Sequence, residues 1–120
     1  ELRVIRWHDG APQLIYRTGD GLLAEPAAAP HDGEALRREA ATSGRLLLLA
    51  DANKDPRVER PLPMAASRAV APLRFGDRLI GLLELDTPKR GAYGPKEGVL
   101  LRRVAHQLAT TIHLLDLRTP

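Results

Sequence analysis

The chain has 120 residues, of which 43% are hydrophobic and 28% charged, and this length and balance predict one globular domain with its own core. It contains no cysteine, which excludes a disulfide framework, a thiolate metal site and a cysteine nucleophile, and favours a cytoplasmic setting. The net charge of +3 is spread along the chain beside only one Trp, two Tyr and one Phe, which argues against nucleic-acid binding, and the apolar runs are too short for membrane insertion.

The first quarter of the chain predicts two strands followed by a loop. Residues 2–7 and 13–17 have strand character, and the segment 8–12 between them holds the Gly and Pro of a turn. Two glycines and two prolines interrupt residues 18–32, which therefore predict a loop. Because a strand-like run begins directly at Glu1, we expect the chain to be a piece cut from a longer protein.

A short helix and a short strand are predicted next. Asp32 is expected to cap a helix over residues 33–43, which Gly44 ends. The aliphatic run Leu46–Ala50 predicts a buried strand. Residues 51–66 are predicted to be irregular, because three prolines forbid a long helix there.

The second half of the chain predicts a β-hairpin that leads into a long amphipathic helix. Ser67–Phe75 and Arg78–Asp86 have strand character and meet at Gly76-Asp77, a two-residue connection in which glycine tolerates a positive φ. Pro95 suits the first position of a helix, and helical spacing continues to Leu117. The resulting order, β-β-α-β-loop-β-β-α, is typical of an α+β domain.

The last helix carries apolar residues that we predict to lie on one face. They are Leu101, Val104, Ala105, Leu108, Ile112 and Leu115. Three of the leucines also repeat every seven residues, the spacing of a coiled-coil seam. We therefore predict that this helix forms a homodimer through Leu101, Leu108, Ile112 and Leu115.

Five segments, taken in their order and spacing, carry a resemblance to a known family. They are Thr42-Ser-Gly-Arg-Leu46, Asp51-Ala-Asn-Lys-Asp-Pro-Arg57, Ala66-Ser-Arg-Ala-Val-Ala-Pro-Leu-Arg74, Gly76-Asp-Arg-Leu-Ile-Gly-Leu-Leu-Glu-Leu-Asp86 and the helix opened by Tyr93-Gly-Pro-Lys-Glu97. With these segments the chain resembles a GAF domain, the sensory module of many signalling proteins. The resemblance covers residues 42–117 well and residues 1–32 loosely.

The resemblance implies a single GAF-like domain over residues 1–120, built on a mainly antiparallel sheet of five to six strands. The terminal helix would cover one face. Loops and the short helix would cover the other, with a small-molecule pocket under residues 18–66. The implied role is regulatory and non-enzymatic: the domain would bind an unidentified small molecule and relay its occupancy to a covalently linked effector domain. The alternative is a ligand-free dimerisation module that acts through its last helix.

Four residues are candidates for contact with the ligand: Asp51, Arg57, Ser67 and Glu84. Arg57 offers a fork for an anionic group, and Ser67 a hydroxyl at the mouth of its strand. If Leu83 and Leu85 face the terminal helix, then Ile80, Leu82 and Glu84 face the pocket. Glu84 would then accept a hydrogen bond from the ligand, and the alternative is that it pairs with a neighbouring arginine.

No metal site, cofactor or catalytic residue is predicted. Asp51-x-Asn53-x-Asp55 imitates the start of a calcium loop, but Pro56 and Leu62 stand where that loop needs Gly and Glu. A loop held by a contact between aspartate and Arg57 is the preferred interpretation. Some GAF-like proteins attach a bilin or reduce methionine sulfoxide through cysteine, and neither chemistry is available to this chain.

Overall fold

A six-stranded antiparallel sheet forms the centre of the protein in a computed structural model, which describes residues 1–8, 11–58 and 66–118. The strands are β1 (Leu2–His8), β2 (Ala11–Arg17), β3 (Gly21–Ala28), β4 (Leu47–Leu49), β5 (Ser67–Phe75) and β6 (Arg78–Thr87). They lie in the order β3-β2-β1-β6-β5-β4, and every neighbouring pair is antiparallel. The α+β class and the predicted number of strands are confirmed.

Two helices, α1 (Glu34–Ser43) and α2 (Pro95–Arg118), cover opposite faces of the sheet. The apolar cluster under α1 consists of Ile5, Leu14, Leu36, Ala40, Leu49, Ala52, Val58, Val70 and Leu82. The cluster under α2 consists of Val4, Ala69, Ala71, Leu73, Ile80, Leu83, Leu101, Ala105, Ala109 and Ile112. Within the described ranges, neither helix is long and apolar enough to cross a membrane.

Strand β6 supplies side chains to both clusters by simple alternation. Leu83 packs under α2, with Leu85 partly buried beside it, whereas Leu82 packs under α1 and Glu84 bonds to an α1 side chain. The predicted orientation of these four residues is therefore confirmed. It places the carboxylate of Glu84 on the face away from α2.

The prediction that Ile80 faces the pocket is wrong, because this residue packs in the cluster under α2. The register between β5 and β6 steps from Leu73 opposite Gly81 to Arg74 opposite Leu79, which leaves Ile80 as an extra residue. One extra residue reverses the alternation of side chains along a strand. Gly81, an isolated glycine inside the strand-like run, is the sequence signal for this bulge.

The prediction of a loop over residues 18–32 is also wrong, because this segment contains strand β3. The strand pairs with β2 at the edge of the sheet, and its residues are mostly exposed, so its sequence lacks an apolar alternation. An edge strand tolerates Pro26, since only one of its sides takes part in the hydrogen-bond ladder. Gly19 adopts a positive φ in the turn before the strand, and so does Gly21 at its first position.

Helix α1 ends as predicted but begins differently. Gly44 has a left-handed φ of 68°, and its N–H donates to the carbonyl of Ala40 at 3.0 Å. The N-cap is Gly33 with no side-chain hydrogen bond, so the prediction that Asp32 caps the helix is wrong. The carboxylate of Asp32 accepts hydrogen bonds from arginines instead.

The predicted buried strand at Leu46–Ala50 is shorter than expected and lies at an edge. Residues 47–49 pair with β5 alone, and Leu49 is buried while Leu48 is exposed. The prediction of a fully buried strand is therefore wrong: a run of leucines reports burial without distinguishing a central strand from an edge.

The segment after β4 is irregular apart from one 3₁₀ turn at Ala52–Lys54. This agrees with the prediction for the part that the structure describes. Residues 59–65 of the predicted irregular stretch, and residues 9–10 of the predicted first turn, lie outside the described residues.

The hairpin at Gly76-Asp77 and the start of α2 at Pro95 are confirmed. The predicted single apolar face of α2 is wrong for Val104 and Leu115, which are exposed. The buried arc of the helix is centred near Ala105, and at about 100° per residue both side chains lie roughly 75° or more from that centre.

Gly81→Ala is expected to destabilise the protein, because no Cβ fits between β6 and β1 at this position. A Cβ there would overlap the backbone carbonyl oxygen of Ile5 and lie 3.1 Å from Cα of Arg6. Overpacking of this kind costs about 1–3 kcal/mol in the free energy of unfolding, which chemical denaturation measures.

The control is Gly98→Ala in α2, where the nearest side-chain atom would lie 3.4 Å from the new Cβ. Alanine raises helix propensity there by about 1 kcal/mol, so this variant should be as stable as the parent or more stable. Equal losses in both variants would contradict the close approach of the two strands.

Candidate functional site

A cavity of about 400 Å³ lies between the sheet and α1. It is lined by Trp7, Pro12, Ala28, Ala29, His31, Glu34, Arg37 and Arg38. This volume falls within the range of about 300–1,000 Å³ that is usual for small-molecule sites. The sheet side of the cavity is apolar and the α1 side is polar, so the cavity suits a molecule with an apolar body and one polar end.

The apolar wall is built from the ends of three neighbouring strands. Trp7 of β1 stands opposite Pro12 of β2 in the antiparallel register, and Ala28 ends β3 beside them. The indole ring offers a large flat apolar surface, against which a planar group of a ligand can stack. The small alanine side chains leave the space open.

The polar wall is one face of α1, where Glu34, Arg37 and Arg38 follow at the helical spacing i, i+3 and i+4. Glu34 pairs with His31 at the mouth of the cavity. Arg38 is exposed, and no hydrogen bond or ion pair to another described residue occupies its guanidinium. A guanidinium in this position can bind a carboxylate or phosphate group through two parallel hydrogen bonds.

Arg37 connects the cavity to the sheet. Its guanidinium donates to both carboxylate oxygens of Glu84, to Oδ1 of Asp32 at 2.8 Å and to the carbonyl of Pro30. These bonds occupy four of the five N–H groups of the side chain, so Arg37 holds α1 against β6. Burial opposes its charge, but the two carboxylates outweigh that effect and raise the pKa of Arg37.

Beneath Arg37, the α1 face of the sheet carries two cross-strand pairs of opposite charge. Arg3 of β1 stands opposite Glu84 of β6, and Arg68 of β5 stands opposite Asp86 of β6. The ion-pair distances are 3.0 Å from Arg3 Nη2 to Glu84 Oε1 and 2.7 Å from Arg68 Nε to Asp86 Oδ1. Arg3, Arg68 and Glu84 are almost completely buried, so these charges depend on one another rather than on water.

Asp32 completes this group from the segment before α1. Its carboxylate accepts hydrogen bonds from Arg3 at 3.0 Å, Arg68 at 3.1 Å and Arg37 at 2.8 Å. Partial burial opposes its ionisation, but the charges of Arg68 and Arg3 outweigh that effect and hold the pKa of Asp32 well below its ordinary value. We call the six side chains the charge network: Arg3, Asp32, Arg37, Arg68, Glu84 and Asp86.

The structure places Glu84 in this network rather than in the cavity wall. The alternative that Glu84 pairs with a neighbouring arginine therefore describes its contacts correctly. Its link to the cavity is indirect and passes through Arg37, which lines it. Asp86, near the end of β6, accepts hydrogen bonds from Arg68 and Arg3.

The other three ligand candidates lie outside the cavity wall and have partners within the chain. Arg57 donates to Asp55 at 2.7 Å and pairs with Glu39, as the preferred interpretation of this loop expected. The hydrogen bond from Arg57 lowers the pKa of Asp55 more than partial burial raises it. The ligand-binding role of Arg57 stays a prediction.

Asp51 and Ser67 fasten the segment that follows β6. Asp51 lies 3.5 Å from Nε of Arg90. The buried Ser67 hydroxyl lies 2.6 Å from the carbonyl of Lys89 and accepts the N–H of Ala92 at 3.3 Å. Their role in ligand binding also stays a prediction. Among the described residues, no group of three or more His, Asp and Glu side chains is arranged to hold a metal ion.

The four dimer candidates on α2 occupy different environments. Leu101 and Ile112 are only 7% and 8% exposed and belong to the core under α2, and Leu108 is partly buried against it. Leu115 is exposed. A contact between two copies of the folded chain can therefore use Leu115 directly, whereas Leu101 and Ile112 support the helix from below.

The residues that build the cavity and the charge network carry patterns that also have simpler interpretations, so the sequence did not identify them. Asp32 had the pattern of a helix cap, and Arg37-Arg38 that of a solvated helix face. One signal was available: Arg3 and Arg68 each interrupt an apolar strand at an inward position. An arginine in that register needs a buried carboxylate.

Comparison with known proteins places the fold in one family. The family model of the GAF domain matches residues 6–112. The GAF domain of a phosphoenolpyruvate-protein phosphotransferase from Coxiella burnetii has a TM-score of 0.80 at 16% identity, over 98% of this chain and 73% of that chain. The GAF domain of a two-component sensor histidine kinase from Bacillus halodurans has a TM-score of 0.76 at 14% identity, over 99% and 84% of the two chains.

A third similar structure belongs to an enzyme. The type II free methionine-R-sulfoxide reductase from Thermoplasma acidophilum has a TM-score of 0.77 at 20% identity, over 93% of this chain and 77% of that chain. No curated protein gives a significant sequence match. At these identities the structural likeness establishes the shared fold alone.

Arg68→Met is expected to destabilise the protein strongly, because it removes a completely buried cation and leaves the partly buried Asp32 and Asp86 with one cation fewer. Removing one partner of a buried ion pair costs about 3–5 kcal/mol in the free energy of unfolding. Chemical denaturation at neutral pH measures this loss.

Arg57→Met is the matched control, since the same change removes the partly exposed contacts with Asp55 and Glu39. Pairs of this kind contribute about 0–1 kcal/mol. If the two variants lose similar stability, the charge network does not hold the fold as its geometry indicates.

Proposed function

The chain belongs to the GAF domain family, and we propose that it acts as a cytoplasmic regulatory module that binds a small molecule in the cavity beneath α1. Occupancy of the cavity would be relayed to a covalently linked effector domain. The observation that carries the proposal is the pairing of an apolar wall around Trp7 with the guanidinium of Arg38, which has no ion-pair partner among the residues that the structure describes. We infer that the ligand has a flat apolar body and an anionic group.

The relay is proposed to start at α1, since one face of this helix lines the cavity and the same helix holds the charge network. A ligand that binds Arg38 and displaces α1 would also displace Arg37, whose guanidinium donates hydrogen bonds to Glu84 of β6. The other face of β6 carries Leu83, which packs under α2. A ligand biases such a pathway only by its different affinity for two arrangements of α1.

A non-catalytic role is proposed because the cavity lacks the groups that reactions of this fold would need. The chain has no cysteine, so the thiol chemistry of the resembling reductases is unavailable to it. The cavity's histidine, His31, is paired with Glu34 at the exposed rim. No serine lines the cavity to act as a nucleophile.

A second candidate function, dimerisation, is favoured by the outer side of α2. Leu100, Val104 and Leu114 are 60%, 41% and 54% exposed. Leu100 and Leu114 stand two heptads apart, and Val104 follows Leu100 after about one helical turn. Apolar residues exposed along one stripe of a helix usually mark a contact with another surface. We propose that this stripe, with Leu115 beside it, joins two copies of the chain.

Ala28→Met is expected to weaken ligand binding at least tenfold, because the longer side chain fills the cavity beside Trp7. The ligand is to be found by a thermal-shift screen of aromatic carboxylic acids, nucleotides and tetrapyrroles, in which a binder raises the melting temperature by several degrees. Trp7 is the single tryptophan, so the change in its fluorescence reports occupancy of the cavity directly.

Ala27→Met is the control, since Ala27 is the exposed neighbour that does not line the cavity. The affinity of this variant for the ligand should stay within twofold of the parent's. A screen without any binder, or a binder that leaves Trp7 fluorescence unchanged, would reject the cavity as the receptor site.

Leu100→Glu combined with Leu114→Glu is expected to convert a dimer of twice 13.1 kDa into a monomer, because the charges fall in the proposed contact stripe. Sedimentation equilibrium measures the mass. Leu22→Glu, at a leucine on β3 that is 77% exposed, should leave the dimer intact. If the parent protein is a monomer, the dimerisation proposal is rejected and the receptor proposal is unaffected.

A further inference from the structure

A second, smaller cleft of about 190 Å³ lies where α2, β5 and the C-terminal end of α1 meet. Three basic side chains line it: Arg74 comes from β5, and Arg102 and His106 come from successive turns of α2. Among the described residues, no carboxylate lines the cleft. Its volume is below the usual range for whole organic ligands and matches a single compact group.

The positive charge of this cleft is uncompensated in the part of the chain that the structure describes. Neither Arg74 nor Arg102 forms an ion pair with a described acidic side chain, and Arg74 donates only to the backbone carbonyl of Asp77 at 3.2 Å. The carbonyl end of α1 at Gly44 carries about half a negative charge, which offsets only part of one guanidinium. The like charges therefore repel one another until an anion enters.

The guanidinium of Arg74 lies against the backbone at the end of α1, where a Cβ on Gly44 would lie 3.6 Å from its Cζ. Gly44 has the left-handed φ of 68° that the end of the helix requires, and it leaves this space open. Ala71, Pro72 and Ala105 provide the apolar part of the wall. Arg74, Arg102 and His106 are exposed, so an anion can reach all three side chains from solvent.

We propose that this cleft binds a phosphate group, either as free inorganic phosphate or as the phosphate of a small monoester. Two guanidinium forks and an imidazole can donate to three phosphate oxygens, and phosphate carries the charge that the cleft lacks. The cleft opens through Arg102 and His106 onto the surface of α2 that also includes Gln107 and Thr110. The organic part of a monoester has room on this open side.

This site goes beyond the receptor cavity, because it lies against α2 and shares no lining residue with that cavity. Occupancy would place negative charge between the sheet and the helix proposed to carry the output. The domain would then respond to two chemically different ligands, one beneath α1 and one beside α2.

The test is a titration of the protein with inorganic phosphate at constant ionic strength, followed by NMR chemical shifts and repeated with chloride in its place. The shifts should concentrate on residues around Arg74 and Arg102 and saturate with phosphate alone. Arg102→Gln and Arg74→Gln should each weaken phosphate affinity at least tenfold, while Arg78→Gln, an equal charge change on the exposed hairpin, should alter it less than twofold.

Further arms separate the sources of phosphate and the two proposals. If glycerol 2-phosphate binds more tightly than inorganic phosphate, the cleft takes the phosphate of a monoester. If the two bind with equal affinity, the cleft takes free phosphate. Ala28→Met should keep its phosphate affinity whatever becomes of the receptor cavity. Shifts that do not saturate, that chloride reproduces, or that weaken equally in Arg78→Gln would overturn the proposal.

Discussion

Three arginines and three carboxylates are withdrawn from water between the sheet and α1, and the rest of the structure depends on how they are arranged. Each buried ion costs several kcal/mol of lost hydration unless an opposite charge and hydrogen bonds replace the water. Arg3, Arg37 and Arg68 meet Asp32, Glu84 and Asp86 in equal number. Because these bonds are directional, α1 has one position in which Arg37 reaches Glu84 while Asp32 reaches Arg68. An apolar contact alone would let the helix slide.

The cavity follows from that constraint. The same helix turn that turns Arg37 inward leaves Arg38 about 100° further round, outside the network and at the cavity rim. The wall opposite Arg38 is formed by β1, β2 and β3, which extend the sheet past the region that α1 covers. The cavity is therefore the space that remains because α1, a helix of ten residues fixed at one side, covers only part of the wide sheet.

The features of the fold that depend on single residues were predicted correctly from the sequence. Gly76-Asp77 fixed the hairpin, Pro95 the start of α2 and Gly44 the end of α1, because each position has a backbone requirement that few residues meet. The errors arose in segments whose conformation depends on the strand with which they pair. Strand β3 is held by β2 despite Pro26, and the bulge at Ile80 depends on how β5 and β6 align.

The candidate site was less predictable than the fold, since its residues are distant in sequence and ambiguous one at a time. Asp32 before a helix has the pattern of a cap, and only the approach of Arg68 and Arg3 gives its carboxylate another use. Glu84 was identified as facing the right side of the sheet, but its partner comes from α1, 47 residues earlier in the chain. The sequence pattern of one strand predicts on which face of the sheet a side chain lies, but it does not predict which residue that side chain contacts.

Strand β6 gives the two proposed sites a physical connection. Glu84 ties it to α1 on one face, and Leu83 ties it to α2 on the other, so a shift of either helix is felt by the same backbone. Binding free energies that are coupled through one element are reciprocal. If a molecule beneath α1 changes the affinity for phosphate beside α2, or for a second copy of the chain along its outer stripe, then that partner must change the affinity of the cavity for the molecule by the same factor. The charge network fixes the α1 end of this connection, and at the α2 end the close packing of Leu83 transmits strain, because a packed core is hardly compressible.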